Sequence, residues 1–458
     1  MKKRVLISLS CVLCAMTVYS QTNPAILSWL QNTTKTGTYY VAGNSTAIAN
    51  NILVNCQKVQ HSATSVYVST KGIPSYPTGP FQDGNPSQAS DQNAIFKFPL
   101  TPTQNTGTKT ATTGGNIGIF INGVALFDYR DGVAWNATTN ALCGGPGNPA
   151  CPGGMMAAQA WNRDAIPAEK RGFDCAKGHP AMGNYHHHQN PSAFKLDLTV
   201  ISTVCSLYDA DGLYVINPSK HSPLIGFAYD GFPIYGAYGY KNLDATGGIT
   251  RMKSGYQLRN ITMRTTSPTG TAVTSGPVVS ATYPLGYFRE DYEYVAHATE
   301  FDYLDIHNGR FCKTPEYPNG TYAYFCTVDA AHNSAYPYVV GPTFYGVVSA
   351  QKVASITETV VTYLPTTPTQ ETNVAGLSIN IFPNPSAHLI AIQIDDLIQE
   401  DYKVELFDIS GKFLQATALN KGSTIAYFDI FTLSSGTYIV KVSNNSSQIS
   451  RKVIVQKN

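Results

Sequence analysis

Two dipeptides, Asn122-Gly123 and Asp230-Gly231, each divide a pair of short apolar runs, and this pattern narrows the fold most. Residues 117–121 and 124–127 flank the first, and residues 224–229 and 232–235 flank the second. Asn-Gly and Asp-Gly supply the residues that a tight reversal needs, so both segments read as β-hairpins. Runs this short suit strands, whose usual length is about five or six residues, better than helices. The remaining chain keeps the same rhythm. Its 38 glycines and 27 prolines punctuate it, and 29 tyrosines favour strand positions. Charged residues make up only 13% of the 458, which argues against a self-repelling, disordered chain. The expected fold class is therefore mainly β. Residues 321–328 alternate as a further strand, while 155–170 have a helix-compatible composition interrupted by Pro167.

The ends of the chain differ from its middle. Lys2, Lys3 and Arg4 precede an apolar stretch over 5–18, and Ser20 stands before Gln21, which reads as a cleavable export signal over 1–20. No later apolar run is long enough to cross a bilayer as a helix. Residues 21–97 read as an N-terminal β region and 98–348 as the main domain. Residues 349–375, rich in Thr, Val, Pro and Gln, read as a linker. Over 376–458 six alternating apolar segments recur: 378–382, 389–394, 403–407, 425–430, 437–442 and 451–455. Strands spaced this closely in a module of some 80 residues indicate a small Ig-like β-sandwich. The net charge of +2 offers no electrostatic footprint for nucleic acid.

Removing Cys11 and Cys14 with the signal leaves seven of nine cysteines, an odd number in an exported chain where pairing is the default. The pairs expected are Cys143–Cys151 around a Gly/Pro loop, Cys312–Cys326 around a second loop, and Cys175–Cys205, with Cys56 left over. Beyond the signal no Cys-x-x-Cys spacing occurs, so a cysteine-held zinc cluster is not indicated.

Chemistry concentrates in one segment. Four of the ten histidines fall within ten residues, at His179, His186, His187 and His188. In an extended strand His186 and His188 share one face and His187 takes the other. A His-x-His pair on a strand supplies two imidazoles to one ion, and His179, beyond a Gly turn, can return as a third ligand. The bland alternative is histidines bonded to strand ends and stacked with the abundant tyrosines. Asp230 stands before Gly231, and turn formation is its first reading; His307-Asn308-Gly309-Arg310 also reads as turn chemistry first, while Asp174 or Asp305 is a candidate to fix a histidine tautomer.

Two resemblances follow from quoted motifs. Tyr185-His186-His187-His188, with residues 117–124, 225–236, 304–310 and 336–338, resembles the YHYH-domain family over about 98–346. His187 stands where that motif has its second Tyr. Ile381-Phe-Pro-Asn-Pro-Ser386, residues 404–412, Leu433-Ser-Ser-Gly-Thr-Tyr438 and residues 451–457 resemble the type A C-terminal sorting domain of type IX secretion substrates, over about 374–458. That resemblance implies export to the cell surface or medium, reading by an outer-membrane translocon, and attachment to surface lipopolysaccharide after the tail is cut. The YHYH resemblance implies architecture and location but no reaction, and puts His307 in a family stretch as a fourth ligand candidate.

The functional expectation is a secreted or cell-surface protein holding copper or zinc through His179, His186, His188 and His307, with Asp174, Asp230 and Asp305 as supporting carboxylates. Its enzymatic version is a metal-dependent hydrolase or copper oxidoreductase. The alternative is an adhesion or glycan-binding module whose histidines are structural and whose exposed aromatics make the contact.

Overall fold

The computed structural model describes residues 23–44, 46–81, 88–154, 159–191, 217–363, 379–382, 384–386, 389–394, 400–421, 425–444 and 448–457. The signal reading over 1–20 lies outside them. The chain divides into two compact units, residues 1–363 and 364–458.

In the first unit, an eight-stranded sheet carries the architecture. Its strands run in the spatial order Gly178–Ala181, Asn184–His187, Ala125–Phe127, Asn116–Phe120, Leu224–Ala228, Pro233–Tyr235, Thr321–Phe325 and Gly309–Cys312. Both expected hairpins are present: Asn116–Phe120 pairs antiparallel with Ala125–Phe127, and Leu224–Ala228 with Pro233–Tyr235. Each turn is closed by its own side chain. Val124 N–H donates to Asn122 Oδ1 at 3.1 Å, and Phe232 N–H to Asp230 Oδ1 at 3.3 Å. Two pairings are parallel, Asn184–His187 with Ala125–Phe127 and Pro233–Tyr235 with Thr321–Phe325.

The central strands Leu224–Ala228 and Thr321–Phe325 are buried at every position. The sheet is covered on both faces, so Leu224–Ala228 reads as a continuous apolar run, and Thr321–Phe325, which reads as alternating in sequence, is buried on both sides as well. On one face Phe227, Leu224 and Phe325 pack with Val66, Val68, Phe96 and Phe98 of a second, five-stranded antiparallel sheet. On the other face Phe120, Ile225 and Tyr324 pack with Tyr129, Phe173, Tyr336 and Tyr338 from loops and short elements.

The five-stranded sheet corrects the linker reading. Its order is Gln351–Val353, Ala94–Pro99, Ser65–Thr70, Cys56–His61 and Val361–Tyr363, so both edge strands come from residues assigned to the linker. The Thr- and Val-rich composition taken for a spacer is also strand-forming. The helix expectation is corrected too. Among the described residues of that stretch, helix covers only Ala165–Glu169. Asp164 caps it by accepting from Ile166 N–H at 2.9 Å, and Pro167 sits in the first turn, where its missing N–H costs nothing.

Cys143–Cys151 is a disulfide spanning eight residues. Cys175 is disulfide-bonded, and its expected partner Cys205 lies outside the described residues. Cys312 and Cys326 are not joined. Cys312 pairs with Thr321, so Cys326 lies five residues further along, about 17 Å away and beyond disulfide reach. Cys56 is a buried thiol, and burial pushes its pKa far up.

The second unit is a small β-sandwich. Ile379–Phe382, Leu389–Ile394 and Ile425–Asp429 form one sheet; Phe413–Leu419, Tyr402–Asp408, Gly436–Ser443 and Gln448–Val455 form the other. Ile390 with Ile392, Val404 with Leu406, and Val440 with Val442 point inward at the two-residue spacing of a strand and build its core. Among the described residues no helix is long and apolar enough to cross a membrane.

Candidate metal centre

The histidine segment forms the edge hairpin of the eight-stranded sheet. Gly178–Ala181 and Asn184–His187 pair with His179 opposite His186 and Ala181 opposite Asn184. Only Met182 and Gly183 remain in the turn, at φ +51° and +84°. Two consecutive positive-φ residues give the tight reversal whose twist matches the strands it joins. A Cβ on Gly183 would also lie 2.1 Å from Ser90 Oγ, so glycine is required there on two counts.

Asp174 shapes the entry to this hairpin. Its carboxylate accepts from the backbone N–H of Gly79 (2.9 Å), Ala176 (2.9 Å) and Gly178 (3.2 Å), and from the Tyr185 hydroxyl (2.9 Å). Burial nevertheless pushes its pKa up to about 6. It orders the loop before His179 rather than bonding a histidine.

Strand alternation sorts the histidines as the spacing requires. His187 faces away from His186 and His188. Its Nδ1 lies 3.1 Å from Lys177 O and its Nε2 2.8 Å from Tyr76 Oη, among the rings of Tyr76, Tyr185 and Phe120. Burial lowers its pKa to about 3. His179, His186 and His188 converge on the other face, with their nearest nitrogens all within 4.8 Å of one another. All three are buried. Phe127 stacks on His186 at 3.9 Å, and Phe173 packs edge-on against His179 at 4.8 Å.

Hydrogen bonding fixes two of the rings. His186 Nδ1 lies 2.8 Å from Asn184 O, and His188 Nδ1 lies 2.7 Å from Asp128 O. A carbonyl only accepts, so both Nδ1 atoms carry the proton and donate. Each neutral ring then presents its Nε2 lone pair to the cluster. Those two Nε2 atoms are 3.1 Å apart. Two lone pairs at that distance repel unless a cation lies between them. Burial, then the other two histidines, drive the pKa of His186 well down, away from the protonated state.

A carboxylate that sequence reasoning missed completes the surroundings. Glu169, the last residue of the helix Ala165–Glu169, places Oε2 3.3 Å from both His179 Nε2 and His188 Nε2. Burial raises its pKa, but the imidazoles of His179 and His188 beside it outweigh that and hold the carboxyl well below its ordinary range. Nothing near Glu169 in sequence marks it. The one available signal was the Asp164 cap ahead of an Ala-Ile-Pro-Ala-Glu turn, which locates the helix but not what its end faces.

The other expected residues lie elsewhere. His307 precedes the strand Gly309–Cys312, which forms the opposite edge of the sheet. Seven strand spacings separate the two edges, on the order of 30 Å, so His307 is not brought to the other three. Its Nδ1 faces Thr343, 2.7 Å from Oγ1 and 3.1 Å from O. Asp305 accepts from His307 N–H, Gly309 N–H and the Tyr322 hydroxyl, as a turn former. Asp230 accepts from the Tyr324 hydroxyl at 2.6 Å and Gly346 N–H at 2.8 Å, and burial raises its pKa to about 6. Neither carboxylate supports the histidine cluster.

Comparison with known proteins adds the following. The family described as YHYH protein matches residues 95–337, and that described as secretion system C-terminal sorting domain matches residues 380–456. No curated protein matches the chain. Among solved structures, a DUF3244 family protein with an immunoglobulin-like β-sandwich fold from Bacteroides vulgatus is similar at 13% identity. The likeness covers 17% of this chain and 82% of that one, with a TM-score of 0.15, which carries no argument.

Proposed function

The chain belongs to the YHYH family and carries a C-terminal sorting domain of the type IX secretion route, and from that premise we propose that it is an exported, cell-surface or secreted protein that binds a divalent transition ion between His179, His186 and His188. The sorting domain accounts for delivery and has no part in the chemistry. The observation that carries the proposal is the pair of Nε2 lone pairs of His186 and His188, 3.1 Å apart, with both Nδ1 atoms committed to carbonyl oxygens. An ion relieves that repulsion, and a third imidazole, His179, stands beside them.

The donor set limits which ion. Imidazole nitrogens suit zinc and copper(II). The carbonyls of Asn184 and Asp128 hold the rings in the ligating tautomer, as outer-shell partners do in known metal sites. The adhesion alternative calls for histidines that do not converge, and the facing pair weighs against it.

Elemental mass spectrometry on the untagged, purified chain tests this. About one zinc or copper ion per chain is expected after incubation with both ions. A folded His186→Ala/His188→Ala variant should retain none. An unmetallated wild-type chain, or a variant that loads equally, overturns the proposal.

A further inference from the structure

The three histidines leave one side of their cluster to Glu169, and its placement has a metrical signature. In a tetrahedral site with metal–nitrogen and metal–oxygen bonds of about 2.0–2.1 Å, neighbouring donors are about 3.3–3.4 Å apart, because a tetrahedral edge is about 1.6 times the bond. The separations are 3.1 Å for His186 Nε2 to His188 Nε2, 3.3 Å for His179 Nε2 to Glu169 Oε2, and 3.3 Å for His188 Nε2 to Glu169 Oε2. Three of the six edges of the four-donor set therefore have nearly the length that a single ion at its centre would impose, and the remaining imidazole pairs, within 4.8 Å, close up on the ion as it binds.

Glu169 Oε2 supplies a second, independent observation. It is a buried carboxylate oxygen whose approach to the two imidazoles lacks hydrogen-bond geometry. The His188 ring gives the reason: its proton is on Nδ1, so its Nε2 offers Glu169 a lone pair, not a donor. Leaving such an oxygen buried and unbonded is costly. A positive ion shared by the carboxylate and the imidazoles satisfies all of them together.

We infer that Glu169 is the fourth ligand, closing His179, His186 and His188 into a four-donor N3O centre for a divalent ion; the inference rests on the metal-binding reading above. Glu169 is also the most exposed of the four, with its side chain 25% accessible against 7% for His179 and 4% for His188. The carboxylate thus takes the fourth position, which a catalytic centre leaves open to water or substrate. A closed sphere of this kind holds its ion. It ties the edge hairpin to the end of the helix Ala165–Glu169 and has no vacant position for a hydrolytic water.

The test uses the full-length chain with zinc and cobalt(II) as probes. Zinc affinity is read by competition with a chromophoric chelator, and coordination number from the cobalt(II) visible bands, which are strong in four-coordinate and weak in six-coordinate centres. Wild type is expected to bind one ion and give the strong bands. Glu169→Gln should weaken zinc binding by at least the roughly 10–100-fold that loss of an outer-shell partner costs, and should lose the strong bands. Glu169→Asp keeps the charge but draws the oxygen back by one methylene, and should behave as Glu169→Gln does. Circular dichroism verifies that both variants are folded, as expected for a partly exposed helix end.

If Glu169→Gln keeps wild-type affinity and spectrum while wild type loads one ion, Glu169 is no ligand and the three-histidine reading stands alone. If Glu169→Asp matches wild type, the carboxylate acts through its field only, and the inference also fails. If wild type loads no ion, the metal-binding reading itself fails.

Discussion

Asp291→Ala is expected to destabilise the N-terminal unit by about 3–5 kcal/mol, the cost of removing one partner from a buried ion pair. Arg264 and Asp291 are both fully buried and meet as a two-bonded fork, Nε to Oδ1 at 2.7 Å and Nη2 to Oδ2 at 2.8 Å. The guanidinium also donates to the carbonyls of Pro277, Tyr283 and Pro284, and the carboxylate accepts from Gly286 and Phe288 N–H. One pair thus pins the irregular stretch 264–291, which has little regular secondary structure of its own. Alanine at 291 leaves the Arg264 charge buried with carbonyls alone. An Arg264→Met/Asp291→Leu double variant removes both charges and should recover much of the loss. Urea unfolding followed by tryptophan fluorescence measures this cleanly, because all three tryptophans, Trp29, Trp135 and Trp161, lie in residues 1–363. A loss below about 1 kcal/mol would place the pair with ordinary surface bridges.

On the proposed metal-binding reading, removing the ion should cost the same unit several degrees of thermal stability. Binding to the native state alone stabilises by about 4 kcal/mol when free ion exceeds Kd a thousandfold. For a unit of this size that corresponds to a several-degree shift in Tm. The proposed ligands, moreover, lie on and beside an edge hairpin whose outer strand pairs on one side only, so an ion held between them cross-links it. Chelator treatment should lower the wild-type transition and leave that of His186→Ala/His188→Ala unmoved. Equal transitions with and without chelator, in a chain shown to be loaded, would mean that the ion binds folded and unfolded chains alike.

Local chemistry was legible in the residues, and distant juxtaposition was not. Asn122-Gly123 and Asp230-Gly231 each encode a turn within a few residues, and both hairpins formed where read. The His-x-His alternation needs only strand periodicity, which put His186 and His188 on one face and His187 on the other. In the tail, inward Ile, Val and Leu at two-residue spacing marked six strands. The seventh, Phe413–Leu419, was missed because polar Gln415 and Thr417 take its half-buried positions on either side of exposed Ala416, which blurs the apolar alternation. His307 and Glu169 erred in opposite directions. His307 stood in another stretch of the same family resemblance but belongs to the far edge of an eight-stranded sheet. The other shared no motif and is delivered by a five-residue helix. Strand order decides both, and it is set by long-range pairing that spacing alone does not disclose. The supposed linker failed for a related reason: Val361–Tyr363 becomes a strand by pairing with Cys56–His61, some 300 residues earlier.

The most direct test of a histidine-held ion is X-ray absorption at the zinc edge of the loaded, untagged chain. The expected spectrum has three imidazole nitrogens and one oxygen at about 2.0–2.1 Å, with the outer-shell scattering of imidazole rings. A spectrum of oxygen neighbours alone, without imidazole scattering, would contradict the account and return His179, His186 and His188 to a structural role.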